Sequence, residues 1–338
     1  MEGIDEIIQL LSSSKNILIT SHRNPDGDAI GSSLALYHWL KTRGHLVTIA
    51  LPSEYPDSYH WMNGIENIQI YDLDQTEIEK RLDKLDIVFA LDYNSLERID
   101  TLGELLLKKK PVFILIDHHL YPEPFADYML SDSTASSTCE LIYRFIHLVE
   151  PHPYISLEIA ESIYTGIVTD TGSFQYGTSP AVFRLAATLQ EHGLNVSGLN
   201  QLIFNSLHEK TLRLLGHCLA NRMEILDEFR SGLIYLNKQD FKVFDIRRGD
   251  TEGIINYLLK LKDVNFAAFI RQQPTIVKLS FRSKGNFSVE DLARRHFNGG
   301  GHKNAAGGYY KNSLSATIEK FKSVLPHYKD EIIKSMDP

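Results

Sequence analysis

The chain has 338 residues, 43% hydrophobic and 23% charged, with a formal net charge of −8, a length that suits two domains with separate cores. The acidic balance argues against a protein that coats long or duplex nucleic acid through a basic surface. No apolar run approaches the ~20 residues that cross a bilayer, so no membrane partner is expected. The two cysteines, Cys139 and Cys218, lack C-x-x-C spacing and sit in helix-like apolar patterns; buried, reduced thiols are the expectation. The opening residues show no basic segment followed by an apolar run, which points to a soluble, cytoplasmic protein.

In chain order, residues 4–11 carry apolar side chains at helical spacing, and the short apolar run 17–20 reads as a buried strand. A helical pattern over 29–42 follows, then apolar runs at 46–50, 87–91 and 112–116. These runs are continuous, not alternating. Strands covered on both faces have this pattern, so the fold class is α/β with a parallel sheet flanked by helices. From 133 to about 222 the pattern is mostly helical: a helix over 134–149 opened by Ser136-Ser137, then helices over 156–168, 180–192 and 209–223. A second, smaller α/β region begins near 224. It holds a hairpin turning at Ser231-Gly232, a strand pair over 267–271 and 276–281, a helix over 288–297 and a helical tail over 313–336. The division expected is a first domain over 1–190, a helical linker over 191–223 and a second domain over 224–338.

Four acidic or histidine clusters fall at the ends of predicted elements: Ser21-His22-Arg23-Asn24-Pro25-Asp26-Gly27-Asp28, Asp92, Asp117-His118-His119, and Thr169-Asp170-Thr171-Gly172. In open α/β sheets, ligands bind at the carboxyl ends of the strands. Taken singly, each cluster has a plain reading, since an Asp at a strand end often caps or turns the chain and a histidine pair is often surface or core. Together they would gather several carboxylates at one sheet edge, where mutual repulsion and desolvation are costly without cations. Carboxylates with a minority of imidazoles suit Mn²⁺ first, with Mg²⁺, Co²⁺, Fe²⁺ and Zn²⁺ left open, and no cysteine ligation points to structural zinc. Two such ions about 3.5–4 Å apart are a usual device for displacement at phosphorus.

His22-x3-Asp26-x-Asp28, Asp92, Asp117-His118-His119 and Asp170 resemble the four signature motifs of the DHH phosphoesterase superfamily. Ser280-Phe281-Arg282-Ser283-Lys284-Gly285 and Asn298-Gly299-Gly300-Gly301-His302, with the residues through Gly308, resemble the accompanying DHHA1 domain. Order and spacing are similar to the NrnA group of oligoribonucleases and pAp phosphatases. The resemblance implies an N-terminal DHH domain and a C-terminal DHHA1 domain across a cleft. It implies two divalent cations, one on His22, Asp26 and Asp92, the other on Asp28, Asp92, His118 and Asp170, with Asp92 bridging. His119 would then touch the scissile phosphate, and Asp117 would hold a histidine in its ligating tautomer.

Between Arg271 and Lys303 seven basic residues face two acidic ones, a local excess of five positive charges in an acidic chain. The glycines before His302 let a phosphate approach the backbone, although a flexible turn is their plain reading. The resemblance places Arg282, Gly300, Gly301 and His302 on the cleft wall as substrate contacts. Arg98 could reach a substrate phosphate or remain a surface arginine, and Ser137 could cap its helix or contact phosphate. Arg294 and Arg295 read as a solvated helix face. The function expected is hydrolysis of very short RNA to 5′-mononucleotides, in either direction, and of pAp to AMP. The alternatives are a phosphodiesterase for pApA or cyclic di-AMP, an exopolyphosphatase-related phosphatase, and a non-catalytic binding module. A homodimer is left open.

Overall fold

The apolar runs of the first half line up side by side as a parallel sheet. The computed structural model describes residues 1–205, 207–247 and 249–336, and the chain divides into two units, Met1–Ser206 and Leu207–Pro338.

In the first unit the elements run α1 (Ile4–Leu10), β1 (Asn16–Ser21), α2 (Gly27–Thr42), β2 (Leu46–Leu51), β3 (Ile68–Ile70), α3 (Tyr71–Arg81) and β4 (Ile87–Leu91). They continue with α4 (Asp100–Lys109), β5 (Val112–Asp117), β6 (Tyr128–Ser131), α5 (Thr138–Val149), α6 (Leu157–Asp170), α7 (Pro180–Glu191) and α8 (Val196–Phe204). All six strands are parallel, in the order β3-β2-β1-β4-β5-β6. Alternate residues of the central strands serve two cores. Ile17, Ile19, Phe89, Leu91, Ile114 and Ile116 pack under α2, α5 and α6, and Leu18, Val88, Ala90 and Leu115 pack under α3 and α4. Double coverage explains the unbroken apolar runs. The strand order reverses between β1 and β4, so a crevice opens at the carboxyl ends of these two strands.

The second unit holds α9 (Glu209–Asn221), β7 (Met223–Leu226), β8 (Ser231–Leu236), α10 (Lys238–Val243), α11 (Asn256–Leu259), β9 (Phe266–Gln272) and β10 (Val277–Ser283). After these come α12 (Val289–His296), β11 (Gly300–His302), β12 (Ala305–Tyr310), α13 (Leu314–Val324) and α14 (Lys329–Ile333). Its sheet runs β11-β12-β10-β9-β8-β7, antiparallel except for the β8–β9 pair. One face packs on α12, α13 and α14; the β8–β9 end of the other packs on α9 and α11.

The structure differs from the sequence reading in four places. The hairpin of 225–235 turns at Asp227–Arg230, with Arg230 left-handed at φ 43°, and Ser231 already pairs with Leu226. Gly232 lies within β8 opposite Ile225 and not in the turn, and a Cβ there would come within 2.9 Å of a Leu258 methyl. The helix expected from 134 starts at Thr138, since Asp132 holds Thr134 in a turn and Ser137 is extended at the N-cap. Residues 300–302 form a strand, with Gly300 opposite Gly307, in place of a flexible turn. The stretch expected as a linker is shared out: α8 lies in the first unit, whereas α9 buries Leu214 and Cys218 in the core of the second. Cys139 and Cys218 are both buried free thiols. Among the described residues no helix is long and apolar enough to cross a membrane.

Candidate metal centre

Each strand flanking the reversal point of the first sheet ends in a polar group that the core cannot accept. β1 runs out into His22. The loop that follows is held by Arg23, whose guanidinium forks onto Asp72 at 2.7 and 2.8 Å and also pairs with Asp100. Asp26 caps α2, with Oδ1 accepting from the amides of Asp28 and Ala29, each at 3.1 Å. That bond sets the carboxylate at the helix N-terminus, where the helix dipole favours negative charge. β4 ends in Asp92, which adopts a left-handed φ of 62° while its amide still donates to Ile116 O. A non-glycine residue in that region is strained, and such strain concentrates at functional sites.

These side chains converge. His22 Nε2 lies 3.4 Å from Asp92 Oδ2 and 3.9 Å from Asp26 Oδ2. His118 Nε2 lies 3.5 Å from Asp92 Oδ1, 3.8 Å from Asp28 Oδ2 and 3.5 Å from Asp170 Oδ2. Each imidazole sets Nδ1 against a backbone carbonyl, of Arg23 at 3.0 Å and Ala135 at 3.4 Å, so Nε2 is the atom each turns toward the carboxylates, and with Nδ1 protonated that atom would be free to ligate a cation. Ligand atoms of His22, Asp26 and Asp92 fall within 4.8 Å of one another, and so do those of Asp28, Asp92 and His118. Asp92 belongs to both triads. The donor set is carboxylate oxygen and imidazole nitrogen, which fits two divalent cations. Asp170 is the last residue of α6, an acidic side chain at the negative end of a helix dipole; a cation would offset that cost.

The electrostatics show the same demand for positive charge. Burial first, then the charges of Asp92 and Asp170, push the Asp28 carboxyl well above its usual range. Burial opposes the charge on Asp92 too, but the hydrogen bonds from His118 and His22 outweigh it and hold that carboxyl well below its usual range. Burial likewise opposes the His118 cation, and Asp170, Asp92 and Asp28 together raise its proton affinity well above normal. His22 is raised by Asp92 and Asp26 against burial and against the charge of nearby Arg98.

Asp117 Oδ1 accepts from His119 Nδ1 at 2.7 Å, so it orients His119 and turns that ring's Nε2 away from it. Ser137 is wholly buried, and its hydroxyl accepts from the Glu140 amide at 3.1 Å to cap α5. Arg98 is partly buried, and its carbonyl accepts from the Arg23 amide at 2.8 Å. In the second unit, Arg282 is partly buried on β10 with Nη1 donating to Phe281 O at 2.9 Å, while Gly300, Gly301 and His302 make up β11.

Sequence reading overlooked Thr138 and Cys139 at the N-terminus of α5. The Thr138 and Cys139 amides donate to Asp28 at 2.7 and 2.9 Å, and Thr138 Oγ1 donates to Asp92 at 3.0 Å. It also overlooked Gly166 on α6, where a Cβ would stand 2.2 Å from Cys139 Sγ and 2.6 Å from Asp28 Oδ1. A Thr-Cys pair and a mid-helix glycine carry no sequence signal for such a role.

Residues 16–167 match the DHH family, N-terminal domain, and residues 240–333 match the DHHA1 domain. The chain is 29% identical over 314 residues to the bifunctional oligoribonuclease and PAP phosphatase NrnA of Bacillus subtilis (strain 168), spanning 89% of this chain and 91% of that one. It is also 29% identical over 325 residues to the protein of that name from Thermus thermophilus, spanning 94% and 91%. Among solved structures, an exopolyphosphatase-related protein from Bacteroides fragilis is 38% identical, with a TM-score of 0.92 over 97% of both chains. RecJ from Thermus thermophilus, 15% identical with a TM-score of 0.58 over 98% of this chain and 55% of its own, shares the fold. DHH phosphoesterases depend on divalent metal ions, in keeping with the clustered carboxylates and imidazoles. The chain therefore belongs to the DHH family of phosphoesterases, with a DHHA1 domain following the DHH domain.

Proposed function

We propose that this phosphoesterase releases 5′-mononucleotides from RNA oligomers of a few nucleotides and converts pAp to AMP, using two divalent cations, with Mn²⁺ as the native metal. The observation that carries the reading is the sharing of Asp92 between two ligand triads. Its strained backbone and its buried carboxylate are explained if one side chain must serve two ions. The names of the Bacillus subtilis and Thermus thermophilus relatives supply the substrate class, and the net charge of −8 disfavours long nucleic acid.

In this reading His22, Asp26 and Asp92 hold one ion, and Asp28, Asp92, His118 and Asp170 hold the other. Bound there, the ions supply charge stabilisation at the phosphoryl oxygens and make a water acidic enough to act as nucleophile near neutral pH. The protein supplies the alignment. Thr138 and the α5 amides fix the carboxylates of Asp92 and Asp28. Asp117 fixes His119 so that its Nε2 can meet the scissile phosphate.

A Mn²⁺ activity panel tests this: pAp, an RNA dimer, pApA, cyclic di-AMP and tripolyphosphate. Mononucleotide from the dimer and AMP from pAp are expected, and failure on both would remove the proposed substrates. The Bacteroides fragilis protein, described as exopolyphosphatase-related, favours a second reading; tripolyphosphate turned over faster than pAp would establish it.

A further inference from the structure

Glu140, in the first turn of α5, carries a carboxylate that neither ligand triad contains, yet the residue is only 3% exposed. With Ser137 at the N-cap it makes the spacing Ser-x-x-Glu, in which the glutamate normally returns to the amide of the capping residue. Ser137 plays its part, its hydroxyl accepting from the Glu140 amide at 3.1 Å. The Glu140 carboxylate reaches one residue further. Its Oε2 accepts from the Ser136 amide at 2.7 Å and from the Ser136 hydroxyl at 2.8 Å. Its Oε1 takes Nη2 of Arg144, whose Nη1 donates to Asp132 Oδ2 at 2.8 Å. Asp132 Oδ1 accepts from the amide and hydroxyl of Thr134 at 2.9 and 2.6 Å. The loop that leads into α5 is thus pinned from both ends by buried or half-buried charge. A cap alone does not require this, because burying a carboxylate costs free energy that an exposed capping box avoids.

What the longer reach controls is one peptide plane. The Ser136 N–H and the Ala135 carbonyl belong to the same planar trans unit and point in opposite directions. Glu140 Oε2 grips the N–H end. At the other end Ala135 O faces His118 Nδ1 at 3.4 Å. The carboxylate therefore sets the carbonyl that orients His118, the ring whose Nε2 lies 3.5 to 3.8 Å from oxygens of Asp92, Asp28 and Asp170. Just beyond Ser137, the Thr138 and Cys139 amides hold Asp28 at 2.7 and 2.9 Å. His22 and Asp26 are held from elsewhere, by the Arg23 carbonyl and by the first amides of α2.

We propose that Glu140 is a positioning residue of the metal centre. Through the Ala135–Ser136 peptide and the first amides of α5 it sets His118 and Asp28 for the cation that they share with Asp92, and it leaves the His22–Asp26 side untouched. The division of ligands between two ions is that of the preceding reading. Partners that aim a ligating histidine from behind change metal affinity by about ten- to a hundredfold when removed.

The test is calorimetric titration of Mn²⁺ into the full chain, with and without Glu140→Ala, in wild-type, His22→Ala and His118→Ala backgrounds. The His22→Ala chain keeps the ion of Asp28, Asp92 and His118; the His118→Ala chain keeps the other. Added to His22→Ala, Glu140→Ala should weaken the remaining ion roughly tenfold or more. Added to His118→Ala, it should change nothing. Glu140→Gln, whose amide oxygen still accepts from Ser136, should restore most of the affinity. In pAp turnover, Glu140→Ala should lower kcat at limiting Mn²⁺ with KM little changed, and excess Mn²⁺ should recover the loss.

Equal weakening in the two backgrounds would show a general brace of the fold and overturn the proposal, and so would unchanged affinity in both. If Glu140→Ala fails to fold, Glu140→Asp carries the test: drawing the carboxylate back by one methylene must weaken the ion of the His22→Ala chain, and an unchanged affinity overturns the proposal. A wild type that binds a single Mn²⁺, weakened by Glu140→Ala, would remove the two-ion reading and keep the role of Glu140. Two ions, neither weakened by that change, would keep the reading and remove the role.

Discussion

The two units each hold a region of uncompensated charge, of opposite sign. In the first, buried carboxylates crowd at the reversal point of a parallel sheet, and the histidines between them are driven toward their cationic forms. In the second, Arg271 is half-buried with its Nε–H buried and lacking an acceptor, and it feels the charge of Arg282. Folding alone favours neither arrangement, because an unpaired buried charge destabilises the folded state. The first makes sense as a site completed from outside by cations. The first is rigidly braced by helix caps and amides, the second by the hydroxyls of Thr251 and Ser280 and the Phe269 ring, so greater sensitivity to small changes is expected at the first.

Mutation can break or sharpen that contrast. The largest effect is expected from Asp92→Ala, which removes the residue common to both triads. Activity should fall by roughly a thousandfold or more in kcat, as when metal-held charge stabilisation is lost, while circular dichroism and Tm show a folded chain. Next, His119→Ala should lower kcat by about a hundredfold while leaving metal affinity, read by calorimetry, unchanged, since Asp117 and not a cation orients that ring. Gly166→Ala forces a methyl group against Cys139 and Asp28; a loss of about 1–3 kcal/mol in chemical denaturation is expected from overpacking, with weakened metal binding. The smallest effect is expected from Thr138→Val, which removes one hydrogen bond to Asp92. A loss of about 1 kcal/mol, roughly fivefold in kcat/KM, should follow. Equal sensitivity of the two regions to such single-bond losses would undo the contrast in bracing.

The first region was more legible in the sequence than the second, where only the basic excess and the glycines stood out, for a physical reason. A parallel strand buried on both faces is an unbroken apolar run, so the polar residue that ends it stands out; His22, Asp92 and Asp117 are visible in this way. Asp170 stands out for a related reason, being an acid where the helix dipole disfavours one. The edge strands β3 and β6 are short and half-exposed, and their patterns are lost among loops. β11 hides behind its glycines, which read as flexibility although close approach to β12 needs one of them: a Cβ at Gly301 would lie 2.5 Å from Ala305 O. Thr138 contributes through position at a helix start, and Arg271 through what it lacks. Neither property leaves a trace in residue spacing.

The account turns on Asp92 serving two ions at once. Elemental analysis and calorimetry of Mn²⁺ bound per chain test this directly, on wild type and Asp92→Ala. Two ions per chain in wild type, with loss of both in the variant, is the result expected. One ion in wild type, or two retained by Asp92→Ala, would contradict the shared-carboxylate centre.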